Sequence, residues 1–192
     1  MSADPLPDWF FPPPEGWTAD DLDRLPPSAP SHIELIDGAL IVTAPQRSFH
    51  ARTLLRLGAA LDLQAPEGVG VEPEMTVRLG ERQRPEPDLV VFRDTDGGNG
   101  DRTYYLPEDV LLVVEVVSPE SEERDRKTKP VKYAEAGIPH FWLVEEEEGA
   151  AAVHVYELDR VNGVYTRTAV ARGRLELSVP FPVTVDLSRL NR

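Results

Sequence analysis

The spacing of hydrophobic residues in the first third of the chain predicts a hairpin followed by a helix. Apolar runs at 33–36 and 39–42 flank an Asp-Gly pair, which is typical of a hairpin turn. Four residues then recur at spacings of four, three and four, as on one face of a helix: His50, Leu54, Leu57 and Leu61. We predict that Ser48 caps this helix and that the helix runs to about Gln64.

Continuous apolar runs later in the chain predict buried central strands. Residues 88–92, 110–117 and 140–144 contain few polar positions, as expected for strands covered on both faces. A second helix is predicted within 121–136, ended by Gly137. Further strands are predicted at 75–79, 152–158, 164–170 and 175–179. The order is hairpin, helix, three strands, helix, strand and hairpin, which predicts an α/β fold with a mixed β-sheet.

Two acidic runs between these elements are predicted to be solvated. Residues 145–148 are interpreted as a turn. Residues 94–101 resemble a calcium loop, but Asn99 stands where an EF-hand requires glycine and Tyr105 where it requires the final acid. We therefore predict a solvated loop at 94–101.

The first 30 residues form an acidic, proline-rich arm. Six acids face a single cation, Arg24, and prolines cluster at 12–14 and again at 26, 27 and 30. The segment Phe10–Pro14 is expected to be extended, because proline fixes φ and removes a hydrogen-bond donor. Such a segment serves either as an aromatic–proline ligand for a partner or as an arm packed on its own domain or on a dimer mate. We favour the packed arm.

The charge balance limits the classes of function. The chain has 34 acidic and 20 basic residues, a net charge of −14, so its field opposes non-specific coating of nucleic acid. A local basic patch or a bound metal ion would still allow a nucleic-acid site. The absence of cysteine excludes disulfides and thiolate sites. No apolar run approaches the roughly 20 residues of a membrane helix and no signal peptide is recognisable, so we expect a cytoplasmic protein without a membrane partner.

Acidic residues embedded in apolar strands are the most informative feature of the sequence. Glu115 lies inside the run 110–117, and Asp88 opens the run 88–92. A carboxylate in such a place is costly unless it is paired or binds a metal ion. Glu34 lies among apolar residues of the first hairpin. The alternatives are a buried ion pair or a wet strand edge for Glu115, and ordinary solvent-facing alternation for Glu34.

A basic segment follows the Glu115 strand. Residues 124–132 hold five cations and one acid, which is unusual in an acidic chain. If this segment is helical, Asp125, Lys129 and Tyr133 share one face. Pro130 is unfavourable in a helix interior and suits the first turn, so the helix either begins near Pro130 or starts earlier with a kink. A solvated helix face is the alternative interpretation of these cations.

Two acids on neighbouring strands with a nearby lysine suggest metal-assisted hydrolysis of phosphodiesters. Carboxylates bind hard divalent ions such as Mg²⁺ or Mn²⁺, and the backbone carbonyl of Val116 is a natural further ligand. A bound metal ion lowers the pKa of water, while a lysine orients that water or stabilises developing charge. Metal binding would also reconcile an acidic protein with a polyanionic substrate.

Five stretches of the chain resemble the Uma-two family of restriction-endonuclease-like proteins in the PD-(D/E)XK nuclease superfamily. They are 34–38 with His50, 84–91, 114–119, 124–133 and 136–144, within a resemblance that covers about 31–187. The resemblance implies an αβββαβ core with a mixed β-sheet and N- and C-terminal β additions. We therefore divide the chain into the arm, 1–30, and a single endonuclease-like domain, 31–192.

The resemblance implies that Asp88 and Glu115 are metal ligands, and the chain departs from the superfamily pattern at the lysine. That lysine would fall two residues after the second acid, where Val117 stands. We expect Lys129 to replace it, with Lys127 and Lys132 as competitors. Glu34 is predicted to assist as a further metal or water ligand.

The remaining site predictions concern substrate contacts and histidines. Lys127, Lys132 and Arg126 are predicted to bind substrate, and Asp125 and Tyr133 to line the site. His50 either lines the site or packs in the core. His32, His140 and His154 show no ligand spacing and are expected to be structural.

These predictions combine into a divalent-metal-dependent endonuclease that hydrolyses DNA. The alternative is a catalytically silent binding or dimerisation module with the nuclease fold, which the acidic surface and the displaced lysine favour. The buried acids argue against that alternative. A homodimer is compatible with the proline-rich arm.

Overall fold

A computed structural model of the chain describes residues 6–95, 97 and 100–190. Its regular elements, in chain order, are β1 (Ile33–Ile36), β2 (Ala39–Val42), α1 (Ser48–Asp62), β3 (Val69–Pro73), β4 (Thr76–Val77), β5 (Leu89–Arg93), β6 (Tyr104–Tyr105), β7 (Val110–Val116), α2 (Lys129–Glu135), β8 (His140–Glu147), β9 (Ala150–Asp159), β10 (Val164–Arg172), β11 (Arg174–Leu177) and β12 (Val183–Asp186). A π-helical turn, Arg124–Thr128, precedes α2 directly. Short 3-10 turns lie at Asp8–Phe10, Ala19–Arg24 and Leu187–Arg189.

A six-stranded mixed sheet in the order β10-β9-β8-β7-β5-β3 forms the centre of the molecule. All neighbours are antiparallel except β7 and β8, which are joined by the helical crossover that a parallel pair requires. The β5–β7 register pairs Leu89 with Val114 and therefore continues to Asp88 opposite Glu115. The predicted α/β mixed sheet is confirmed.

Hydrophobic cores cover both faces of the sheet. Helix α1 and the β11–β12 hairpin pack on one face, and α2 with β4 and β6 on the other. Side chains of a strand alternate between faces, so Val113 faces α2 whereas Val114 faces α1. Glu115 is in phase with Val113, which directs its carboxylate toward the α2 side.

Pro130 explains the π-helical turn before α2. A proline inside an α-helix lacks the N–H donor and its ring clashes with the carbonyl four residues earlier. Here Pro130 lies in the first turn of α2. The wider π-helical turn precedes it, with the Lys129 N–H bonded to the Arg124 carbonyl. Of the two arrangements left open by the sequence, the helical segment starts before the proline and changes its winding there.

Several strands differ from their predictions. Strands β3, β6 and β12 were not expected, and the predicted strand at 75–79 is reduced to Thr76–Val77. Gly70 and Pro73 hide the β3 pattern; Gly70 is required because a Cβ there would lie 2.3 Å from the Phe92 ring. The acidic turn is also corrected: β8 continues through Glu147, and the reversal follows at Glu148.

The arm contacts the domain through the Ala19–Arg24 turn. The Ala19 N–H donates to the Glu81 carbonyl at 2.7 Å. The buried Arg84 guanidinium donates to the Ala19 carbonyl at 3.0 Å and to both Asp23 oxygens at 2.9 Å. Residues 1–5 lie outside the described part of the chain, as do 96, 98 and 99 of the predicted loop. The division at residue 30 stays a prediction.

No helix in the described ranges is both long and apolar enough to cross a membrane.

Candidate active site

A cavity of about 500 Å³ opens between the β1–β2 hairpin, the start of α1 and the π-helical turn. The sheet contributes the beginning of β5 and the end of β7. The charged side chains that line it include Glu34, His50, Asp88, Glu115, Asp125 and Lys129. Sequence reasoning drew these residues from five separate segments, and the fold brings them to one cavity.

Asp88 is held from two directions. The main-chain N–H of Val116 donates to its Oδ2 at 2.6 Å, and the His50 Nε2 lies 2.9 Å from its Oδ1. His50 is therefore both buried in the helix stripe and directed at the site, so the two interpretations of this residue are compatible. The hydrogen bonds fix the orientation of the Asp88 carboxylate toward β7.

Glu115 is fully buried at the end of β7 and accepts two hydrogen bonds. The Lys129 ammonium lies 3.0 Å from its Oε2, and the Tyr133 hydroxyl donates to its Oε1 at 2.6 Å. Lys129 and Tyr133 lie one helical turn apart and face the sheet. The winding of this helical segment thus returns Lys129 to an acid that precedes it by fourteen residues.

Lys129 is surrounded by carboxylates. Besides Glu115, its Nζ lies 3.1 Å from Glu34 Oε2 and 3.5 Å from Asp125 Oδ1, and it donates to the Glu86 carbonyl at 3.4 Å. Only 4% of Lys129 is exposed. One ammonium therefore serves several buried acids in a region of low dielectric.

The pKa values follow from this imbalance. Burial raises the pKa of Glu115 well above its ordinary value; Lys129 opposes that shift, and the negative charges of Asp125 and Asp88 add to it. Burial likewise raises the pKa of Asp125. Burial alone would lower the pKa of Lys129, but the surrounding carboxylates hold it well above its ordinary value. The lysine stays charged, and the cavity has an excess of negative charge.

A second group of side chains supports these acids. Arg124 Nε lies 3.3 Å from Glu34 Oε1, and Ser121 donates to Asp125. His32 Nδ1 lies 2.7 Å from Glu86 Oε1. Burial raises the pKa of Glu86, while the hydrogen bond to that carboxylate raises the pKa of His32.

Sequence reasoning missed His32 and Glu86, although a usable signal was present. His32 precedes Glu34 by two residues, and Glu86 precedes Asp88 by two. In extended chain, side chains two apart point to the same side. His32 was expected to be structural, and the structure places it at the lining of the cavity.

Comparison with known proteins shows the family of the chain. Residues 19–189 match the model of the Uma2 family, described as "Putative restriction endonuclease". The chain belongs to the Uma2 family. This confirms the resemblance seen in the sequence, and the family description supports a nuclease function.

A solved structure shows the same fold as the Uma2 chain. It is the crystal structure of "a putative nuclease belonging to DUF820" from Anabaena variabilis ATCC 29413, with a TM-score of 0.70 and 18% identity. The match covers 91% of this chain and 97% of that one. No protein of curated function matches the chain.

Three predicted substrate-binding cations of the Uma2 chain lie outside the lining of this cavity. Lys127 is exposed and pairs with Glu123 at 3.3 Å. The Lys132 ammonium lies 2.7 Å from Asp37 in the hairpin turn. Arg126 points the other way and pairs with Glu122 and Glu145. Lys129 is thus the lysine that the fold places beside Glu115.

The donor set at Asp88 and Glu115 suits a hard divalent cation. Each carboxylate oxygen has two lone pairs, and each of the four oxygens accepts one hydrogen bond here, so acceptor capacity remains. The excess of buried negative charge also favours a cation. The residues present therefore fit a hard divalent cation.

A second group of ligand atoms lies across β8 and β9 of the Uma2 chain. Within the described residues, Glu145, Glu147 and His154 are the one set of three such side chains whose ligand atoms lie within 4.8 Å of one another. Cross-strand pairing, which sequence spacing does not reveal, brings His154 beside these two glutamates. Arg126 already pairs with Glu145, and Arg172 with Glu147. These ion pairs compensate the two carboxylate charges without a metal ion.

Proposed function

We propose that this Uma2 protein is a divalent-metal-dependent endonuclease that hydrolyses DNA phosphodiester bonds. The observation that carries the proposal is the placement of the Lys129 ammonium 3.0 Å from Glu115, at a cavity that Asp88 also lines. Family membership and the nuclease-like fold support the same class of reaction.

Each residue has a distinct role in the proposed site. Asp88 and Glu115 hold Mg²⁺ or Mn²⁺, with the Val116 carbonyl as a further ligand. When bound there, such an ion would supply a water of lowered pKa and charge stabilisation at the phosphate. Lys129 keeps a fixed positive charge beside the reacting phosphate, which needs no reorganisation during the reaction.

The other cavity residues position these groups. His50 and the Val116 N–H fix the Asp88 carboxylate, and Tyr133 does the same for Glu115. Glu34 pairs with Lys129 from the hairpin side. This position leaves Glu34 near the metal ligands, where it serves as an additional ligand for metal or water. Asp125 anchors the helical segment beneath Lys129.

A cleavage assay tests this proposal. Purified protein is expected to nick supercoiled plasmid DNA with Mg²⁺ or Mn²⁺ and not with EDTA, and Asp88→Asn prepared identically should be inactive. Lys127→Ala and Lys132→Ala should weaken DNA binding without abolishing turnover. Each should reduce the slope of log K against log salt concentration by about one, the value expected for one lost phosphate contact. Metal-independent cleavage, or equal activity in the Asp88→Asn preparation, would refute the proposal; cleavage of RNA alone would refute its assignment to DNA.

The second candidate is a silent binding or dimerisation module in the same cytoplasmic location. It is favoured by the closed network around Glu115, in which both oxygens already have donors. A silent module would show neither metal-dependent cleavage nor a metal-dependent rise in melting temperature. The nuclease should show both, since a ligand that binds only the native state stabilises it.

A further inference from the structure

The exposed face of the arm is rich in apolar and proline side chains. Leu6, Phe10 and Phe11 are 55%, 46% and 59% exposed. Phe11 is extended, and Pro12 and Pro14 beside it are also exposed. Among the described residues of the arm, the first main-chain hydrogen bond to the rest of the chain is the one from Ala19 to Glu81. Burying these side chains against another surface lowers the free energy of such a segment.

A groove of about 280 Å³ on the far side of α2 has complementary chemistry. Its floor is a group of aromatic rings from three strands: the Phe141 centroid lies 5.5 Å from those of both Tyr156 and Tyr165. Its walls include Pro130 and Val131, and Val131 is 53% exposed. Aromatic-lined grooves are the surfaces on which proline-rich segments dock, because such segments lose little conformational entropy on binding.

Charge also favours the pairing of arm and groove. The first 23 residues of the chain contain six acids and no lysine or arginine. Arg126 and Lys127 lie on the rim of the groove, and the arm's acids would compete there with Glu122, Glu123 and Glu145, with which these two cations pair. The cations on this rim suit an acidic protein segment as well as they suit a nucleic acid. The arm differs from a nucleic acid because it also supplies prolines, for which the aromatic floor of the groove is suited.

We propose that the groove formed by Arg126, Lys127, Pro130, Val131, Phe141, Tyr156 and Tyr165 binds the Phe10–Pro14 segment of a second copy of this chain. Each copy has both a groove and an arm, and an exchange in which two copies each give an arm to the other's groove closes into a two-fold dimer. The contact lies outside the cavity that Asp88 and Glu115 line, although Lys127 on the groove's rim is also a predicted DNA contact.

Analytical ultracentrifugation of the full chain tests the exchange. The wild type is expected to dimerise with rising concentration. Phe11→Ser in the arm and Val131→Glu in the groove should each raise the dissociation constant of the dimer at least about tenfold. The double variant should have nearly the same dissociation constant as either single variant, because both substitutions remove the same contact. Leu63→Glu is the matched control, since Leu63 is 87% exposed at the end of α1. A monomeric wild type, or a dimer that persists in both variants, would overturn the proposal.

A peptide assay separates the arm from other occupants. A fluorescent peptide of residues 6–17 is expected to bind the wild type, and to bind Val131→Glu at least about tenfold more weakly. The same peptide with serine in place of Phe11, Pro12 and Pro13 should not bind. Displacement by single-stranded DNA but not by unlabelled peptide would assign the groove to nucleic acid and overturn the proposal. Since Phe11 lies on the exposed arm, loss of folding cannot explain a loss caused by Phe11→Ser.

Discussion

Lys129→Met is expected to destabilise the protein by about 3–5 kcal/mol and to reduce DNA cleavage by about 10²–10³-fold. The substitution keeps the length of the side chain but removes the cation that neutralises Glu34, Glu115 and Asp125, all almost fully buried. Breaking a buried ion pair by removing one partner leaves uncompensated charge, which is the source of the stability loss. The rate loss follows from removing a preorganised positive charge from the reacting phosphate.

The two effects can be separated by measuring denaturation in urea with and without metal. Mg²⁺ should restore part of the lost stability in Lys129→Met, because a divalent cation replaces the missing charge, while cleavage should stay low. Lys127→Met is the control, since Lys127 is 74% exposed on its side chain and pairs only with Glu123 among the ion pairs of the described residues. It should change stability by less than about 0.5 kcal/mol. A Lys129→Met protein as stable and as active as the wild type would contradict both assigned roles.

Glu115→Gln should abolish metal-dependent cleavage while the protein stays folded. Glutamine keeps an oxygen that accepts from Lys129 or Tyr133, but it removes the negative charge that a metal ion requires. Burial and the neighbouring carboxylates raise the pKa of Glu115, so its ionised form costs stability at neutral pH. The variant should therefore unfold at the same denaturant concentration as the wild type or a higher one near pH 7. Any advantage should shrink as pH falls below the raised pKa of Glu115 and vanish below the ordinary value of 4.5, where the group is neutral in both the folded and the unfolded protein.

Chemical denaturation across this pH range and a plasmid cleavage assay check the Glu115 prediction together. A stable, inactive Glu115→Gln protein fits a functional acid that is kept at a cost in stability. If Glu115→Gln instead unfolds, Glu115 serves as the partner of a structural ion pair, as the sequence alternative had it. If it cuts DNA at the wild-type rate, Glu115 is no metal ligand.

The sequence predicted most of the strands that carry the site, because apolar continuity is a local signal. Residues 88–92 and 110–117 read directly as buried strands, and an acid within such a run is conspicuous. The antiparallel register that sets Asp88 opposite Glu115 follows only from pairing in three dimensions. The sequence indicated the two acids; the fold shows that they share a cavity.

Features that depend on contacts between distant segments could not be predicted. Strand β3 contains glycine and proline, which are unfavourable in strands. Gly70 is required there because the Phe92 ring leaves no room for a Cβ, which local propensity does not show. Glu145 looked like part of a solvated turn, yet the Arg126 guanidinium pairs with it from the helical segment. The resemblance to the nuclease family implied that a lysine near Glu115 serves the site, but the distance of Lys129 from Glu34 depends on how the hairpin folds over the sheet.

The most direct test of the central claim is an anomalous difference map from crystals grown with Mn²⁺. The account predicts a manganese peak between the Asp88 and Glu115 carboxylates, bound by at least one oxygen of each. It also predicts that the peak is lost in crystals of Glu115→Gln grown under the same conditions. A peak confined to Glu145, Glu147 and His154, or no peak between Asp88 and Glu115 at a saturating concentration of Mn²⁺, would contradict the account.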